Sequence, residues 1–333
     1  MEAKAAEQPD SFQPPAWLGN RHVQCVVSRL PGRRKRIGRL AADLLAAARP
    51  EIVDAGDGIR LLGYHSPAAG SQSRGLVILL HGWEGSADSH YMLSLGAALR
   101  HSGFAVFRLN FRDHGETQAL NEGLFHSCRI DEVVNAVRSI ERRHAPRSLA
   151  LAGHSLGGNF AVRVALRAPA AGISLDRVIA VCPVLKPTST MRALEEGFWL
   201  YRDYFLSRWR RSLQAKAAAF PDLYAFGDLR RLPTLTATTD FFVCRYTDFG
   251  SLDAYLDGYA LTGGRLGDLN VPTRMILAAD DPVIPVADVE DLGRSPALTL
   301  ELSEAGGHCG FVDALGLPSW TDRQVVADLE RHL

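Results

Sequence analysis

Residues 149–167 read LALAGHSLGGNFAVRVALR, and this stretch decides the fold. Four apolar residues, Leu149 to Ala152, run into Gly153-His154-Ser155-Leu156-Gly157, after which apolar residues recur at Phe160, Ala161, Val164 and Ala165. A short apolar run predicts a buried strand, and the spacing that follows predicts a helix. The glycines mark a sharp turn between them, with Ser155 at its apex. Such a turn forces its central residue into strained backbone angles and brings neighbouring backbone too close for side chains, which is what glycine on either side permits. Ser155 is therefore the candidate nucleophile. Five letters of G-x-S-x-G carry little by themselves; the strand before and the helix after carry the reading.

Outward from this turn, apolar runs predict further strands over 51–54, 60–65, 76–80, 104–109, 178–183, 272–278 and 298–302. Helical spacing predicts helices over 91–101, 130–143, 286–292 and 322–332. The turn signal Gly56-Asp57-Gly58 makes the first two strands an entry hairpin. Strands alternating with helices of this length imply right-handed crossovers and a mostly parallel central sheet of about eight strands, covered on both faces. Between 185 and 268 the alternation lapses into helix-like segments such as 191–206, and 15 of the 27 aromatic residues gather there. We read 1–184 and 269–333 as one catalytic core and 185–268 as an inserted helical cap. Its aromatic residues either roof an apolar site or form the insertion's own small core, and one residue can do both.

A serine hydroxyl needs a general base within hydrogen-bond reach and a third group to orient that base. In a parallel sheet such groups sit in the loops beyond the C-terminal strand ends. Two late loops qualify. The strand over 272–278 runs into Asp280-Asp281-Pro282, and the strand over 298–302 runs into Gly306-Gly307-His308-Cys309-Gly310. His308 is the candidate base. Asp281 is preferred to Asp280 as its orienter because its spacing from Pro282 and Pro285 is similar to that of the acid loop of many α/β hydrolases, and the other aspartate is expected to cap the following helix. The oxyanion donors would be the backbone N–H groups of Leu156, after the nucleophile, and Trp83, in the loop after the third strand. The Trp83 indole is free to shape a pocket or pack against the cap. His81 and Glu84 read as loop-shaping hydrogen-bonders, and His114 and His126 receive no role. The chain order Ser155, Asp281, His308 is that of the α/β-hydrolase fold.

The 333-residue chain is 47% hydrophobic, with Lys+Arg and Asp+Glu both at 37, a balance that gives no sign of nucleic acid or an anionic membrane as partner. The densest basic run, Arg33-Arg34-Lys35-Arg36, reads as a solvated loop in preference to an anion site. Five scattered cysteines without a C-x-x-C pair argue against a disulfide framework and fit a cytoplasmic protein. No histidine or carboxylate cluster has metal-ligand spacing, so neither metal nor cofactor is expected. The polar first fifteen residues show no apolar leader, and no membrane anchor is expected.

PPAWLGNRHVQ near the start, together with HGWEGSADSHY, NFRDHGET, GHSLGGN, AADDPVIP and GGHCGF, resembles the YheT-type esterases, close to the ABHD proteins of the α/β-hydrolase superfamily. The resemblance spans nearly the whole chain, with the cap its least similar part. It implies a cofactor-free carboxylic ester hydrolase with nucleophile Ser155, acid Asp281 and base His308; the aromatic residues over 185–268, read as a roof, add the expectation of a small-molecule ester with an apolar acyl or alcohol part. A thioesterase or acyltransferase would use the same three residues. A silent binding protein on the same fold would lack one of them.

Overall fold

In the computed structural model, residues 11–70, 72–227, 229–314 and 316–333 are described. The polar N-terminal arm read from the sequence falls largely outside them, in residues 1–10.

Five consecutive large apolar residues, Leu76–Leu80, form strand β3, which is buried along its whole length. Only a strand covered on both faces tolerates such a run. It lies between β4, Ala105–Leu109, and β5, Leu149–His154, both parallel to it. With β1 at Arg49–Asp54, β2 at Arg60–Ser66, β6 at Arg177–Val181, β7 at Thr273–Ala278 and β8 at Leu298–Ser303, the strands make one sheet in the order β1-β2-β4-β3-β5-β6-β7-β8. The β1–β2 and β2–β4 pairings are antiparallel and the others parallel. The eight strands and the entry hairpin match the reading of the sequence.

Helices Ile130–His144 and Leu156–Ala171 cover one face of the sheet. Helices His90–His101 and Trp320–His332 cover the other. The helix Ile130–His144 shows why the sequence folds this way. Ile130, Val133, Val134, Val137 and Ile140 fall on one face and are buried, each contributing about 1.5–3 kcal/mol. Asp131 and Glu132 in its first turn and Arg142, Arg143 and His144 in its last complement the helix dipole.

Three sequence expectations are corrected. Arg33 to Arg36 lie within the helix Pro31–Leu40, started by Pro31 at its first position, not in a loop. Arg33 is buried, donating to the carbonyls of Ala314 and Gly316, so the run splits into an inward and an outward part. The helix expected over 286–292 is a single 3-10 turn, Val286–Val289. The helix expected over 191–206 is two, Pro187–Glu196 and Trp199–Ala219, because the chain goes extended at Gly197 and Phe198.

Between β6 and β7 the chain forms helices Pro187–Glu196, Trp199–Ala219, Leu235–Tyr246 and Leu252–Asp257. The aromatic residues of this stretch divide. Phe226, Phe242 and Tyr246 pack on one another with centroids 5.0 to 5.6 Å apart. Phe205 and Trp209 instead meet the Trp83 indole at 5.3 and 5.4 Å. Lys216 anchors the long helix to the loop after β4. Its buried ammonium donates to Asp113 Oδ1 at 2.8 Å and to the carbonyls of Gln118, Asn121 and Gly123.

Candidate active site

The β5 strand ends at His154, and the helix Leu156–Ala171 starts one residue after Ser155. Ser155 therefore carries the whole reversal, at φ 54° and ψ −120°, a region that costs a side-chain-bearing residue about 1–3 kcal/mol. The flanking glycines are required by contact rather than by dihedral. A Cβ on Gly153 would lie 2.2 Å from the Gly157 carbonyl oxygen, and one on Gly157 would lie 2.2 Å from that of Leu80.

His308 comes from the loop after β8, and Asp281 from the loop after β7. His308 Nε2 lies 3.0 Å from Ser155 Oγ, and His308 Nδ1 lies 2.9 Å from Asp281 Oδ2. The other carboxylate oxygen, Oδ1, accepts from the N–H groups of Val283 and Ile284 at 2.8 and 3.0 Å, which fixes the acid loop. Asp281 thus both meets the histidine and caps its own turn. Asp280 does not cap a helix as expected: its Oδ1 accepts from the Gly307 N–H at 2.8 Å and ties the acid loop to the histidine loop. The two aspartates diverge in the turn that follows β7, closed by the Asp281 N–H donating to the Ala278 carbonyl, so that one faces the histidine ring and the other clasps its loop.

Burial disfavours charge on His308, yet the nearby Asp281 carboxylate, with Cys309 in support, outweighs it and pushes the imidazole up to about 9. His154 is pushed down to about 4 by burial. Cys25 is pushed up to about 11 by burial, so it stays a thiol near neutrality; its Sγ accepts the His308 N–H at 3.1 Å.

Among the described residues, the Trp83 N–H has no hydrogen-bond partner. Leu156 opens its helix, where the first backbone N–H groups have no intrahelical acceptor. His81 and His114 hold the Trp83 loop from behind. His81 Nε2 accepts from Phe111 N–H while its Nδ1 donates to the Gly82 carbonyl, and His114 Nε2 accepts from Glu84 N–H while its Nδ1 donates to the Arg112 carbonyl. Burial keeps both rings neutral, His81 well below the ordinary value and His114 at about 4. Glu84 is pushed up to about 7 by burial.

Sequence reasoning missed the brace provided by the helix Arg21–Val27. Gln24 donates to the carbonyls of Leu18 and Val312 and accepts from Val312 N–H, locking the N-terminal helix onto the histidine loop. A buried glutamine in the RHVQ stretch was the available signal, visible only as part of a resemblance.

Two cavities open on Ser155. One, of about 90 Å3, is an apolar slot bounded by Leu156, Val184, Met191, Leu194, Phe205 and Trp209. The other, of about 330 Å3, is polar and also borders His308, Arg29, Arg34 and Arg208. Two groups of metal-capable side chains occur among the described residues. Cys182, His308 and Cys309 form one, in which both His308 ring nitrogens already have partners. Glu51, His65 and His144 form the other, in which Arg143 also donates to the Glu51 carboxylate. No helix among the described residues is long and apolar enough to cross a membrane.

Comparison with known proteins agrees with this architecture. The chain is 26% identical over 313 residues to the "Putative esterase YheT" of Escherichia coli (strain K12), covering 90% of this chain and 87% of that one. It is 31% identical over 136 residues to the human protein ABHD15, covering 38% of this chain and 28% of that one. Among solved structures, the Pyrococcus furiosus esterase Pf2001 superposes with a TM-score of 0.57 at 16% identity, covering 86% of this chain and 90% of that one, a likeness of fold. The alpha/beta hydrolase fold family matches residues 75–315, which include Ser155, Asp281 and His308. The sequence is thus YheT-like, and the chain belongs to the alpha/beta hydrolase fold family.

Proposed function

We propose that the protein is a carboxylic ester hydrolase that works through a Ser155 acyl-enzyme. The observation that carries this reading is the hydrogen-bonded chain from Ser155 Oγ through His308 to Asp281, at 3.0 and 2.9 Å, with the serine at the mouth of two cavities. The esterase names of its relatives support the choice of ester as substrate.

In this mechanism Ser155 Oγ attacks the ester carbonyl while His308 Nε2 takes its proton, and the Asp281 carboxylate stabilises the imidazolium so formed. The N–H groups of Trp83 and Leu156 receive the oxyanion. Collapse of the tetrahedral intermediate breaks the bond to the alcohol, which leaves with the proton from His308. A water deprotonated by His308 then cleaves the acyl-enzyme and restores Ser155. We assign residues 1–184 and 269–333 to the core that carries this chemistry and 185–268 to a cap that helps shape the apolar slot through Phe205 and Trp209. Five free cysteines support a reducing compartment such as the cytoplasm.

The test is hydrolysis of 4-nitrophenyl butyrate together with labelling by a fluorophosphonate probe. Ser155→Ala is expected to lower kcat by at least about 10^3-fold and abolish labelling with the fold intact by circular dichroism. Turnover by the folded variant at the wild-type rate would overturn the assignment.

A further inference from the structure

The polar cavity beside Ser155 has no task in the mechanism above, and its cations are arranged in an unusual way. The Arg29 and Arg208 guanidinium carbons lie 4.9 and 5.7 Å from the centroid of one ring, that of Tyr204. Arg34 borders the same cavity from the helix Pro31–Leu40. Among the described residues, none of these three arginines is ion-paired with a carboxylate. Of the two acidic residues that border the cavity, Asp88 is spent on Arg108 at 2.6 Å, and burial moves Glu84 up to about 7, toward its neutral form. Arg208 Nε donates to the Glu84 backbone carbonyl at 3.0 Å and its charge opposes the rise of the Glu84 carboxyl, while Arg29 is exposed and, among the described residues, paired with no carboxylate, so the two like charges about one ring repel each other with only partial compensation. An anion between them would turn that repulsion into attraction, and planar guanidinium groups suit carboxylate and phosphate oxygens.

Two further features of the cavity fit the same occupant. The helix His90–His101 begins at its wall with Ser89 making no side-chain cap, which places the positive end of the helix dipole at the cavity. His154 is 4% exposed, borders the cavity, and has no hydrogen-bond partner for Nδ1. The apolar slot, which meets the polar cavity at Ser155, Trp83 and Phe205, has no comparable cation. An ester seated at Ser155 would thus have one hydrocarbon end and one charged end.

We propose that the substrate is an ester between an apolar acyl group and an alcohol bearing a carboxylate or phosphate, the anion being held by Arg29, Arg34 and Arg208. This rests on the serine-esterase reading and specifies its substrate class. The basic run that reads as solvent-facing in the sequence contributes Arg34 to this site, while Lys35 beside it does not border the cavity.

The experiment compares 4-nitro-3-butanoyloxybenzoate with its neutral carboxamide and with the corresponding phosphonate, following release of the nitrophenolate. Each rate is divided by that ester's hydroxide-catalysed rate to remove intrinsic reactivity. The wild-type protein is expected to favour at least one anionic ester over the neutral one by 10-fold or more in kcat/KM, with the advantage shrinking as salt is raised. Which anion is favoured identifies its class. Arg29→Gln and Arg34→Gln are each expected to cut the ratio at least threefold, and Lys35→Gln to keep it. Hydrolysis of all three esters at equal corrected rates overturns the anion site and leaves the esterase reading standing. Failure to hydrolyse any of them, with no fluorophosphonate labelling, overturns both. The wild-type ratio decides the matter even where an arginine variant fails to fold.

Discussion

Ser155 is held at φ 54° and ψ −120°, and that strain can be measured by comparing Ser155→Gly with Ser155→Ala. Both substitutions remove the hydroxyl and its contact with His308, so those losses cancel in the comparison. What remains is the backbone. Alanine keeps the Cβ and with it a strain of about 1–3 kcal/mol, whereas glycine relieves it. Glycine in turn adds unfolded-state freedom worth about 0.5–1 kcal/mol. The glycine variant should therefore be the more stable by about 1 kcal/mol, within a range of roughly 0–2.5. A chain of 333 residues unfolds with an entropy of about 0.7 kcal/mol/K, so the melting temperatures would differ by only about 1.5 °C. Urea midpoints at a common slope are the better measure. Neither variant should react with a fluorophosphonate. If the alanine variant exceeds the glycine variant in stability, the turn is not strained at Ser155 and the reasoning fails.

The remaining predictions concern protons and the buried ion pair. Only a neutral His308 can accept the Ser155 proton, and the imidazole sits at about 9, so kcat/KM for a neutral ester should rise with pH through neutrality and level off near 9. Asp281→Asn should cut kcat by about 10^3–10^4-fold and move the remaining profile to lower pH, because burial then acts on the ring unopposed; an unmoved midpoint refutes the link. The same raised pKa makes the His308–Asp281 pair stabilising below the unfolded value of about 6.5, with that contribution lost as pH rises through 9, so the stability gap between wild type and Asp281→Asn in urea should narrow in alkali. Lys216→Met removes the cation from the buried Asp113 carboxylate and the donor from the Gln118 and Asn121 carbonyls and should cost about 3–5 kcal/mol in urea unfolding, partly recovered by adding Asp113→Asn; a loss below about 1 kcal/mol refutes the anchoring role.

The sheet was legible because its signals are local. β3, β5 and β6 are buried on both faces, so uninterrupted runs such as Leu76–Leu80 have no competing explanation. The errors fall where tertiary contact overrides composition. Four consecutive basic residues look like a solvated loop until Arg33 finds two carbonyls in the chain near residue 315 to bury against. The long aromatic helix was misplaced because Gly197 and Phe198 interrupt a pattern that apolar spacing alone would continue.

The site divides along the same line. Ser155, Asp281 and His308 each stand in a loop directly after a strand, where a motif of a few residues carries both the turn and the functional side chain. The groups around them do not. Cys25 and Gln24 reach the histidine loop from 283 and 288 positions away, and Arg29, Arg34 and Arg208 converge on one cavity from two helices and the end of a third. No periodicity links such residues, because what brings them together is the packing of the N-terminal helices and of the helices between β6 and β7 around the loops that follow the strands. Reaction chemistry is tied to strand ends and can be read along the chain. Recognition of the alcohol is assembled across it, so a chain with the same three loops and different residues at 29, 34 and 208 would keep the chemistry and lose the preference for an anion.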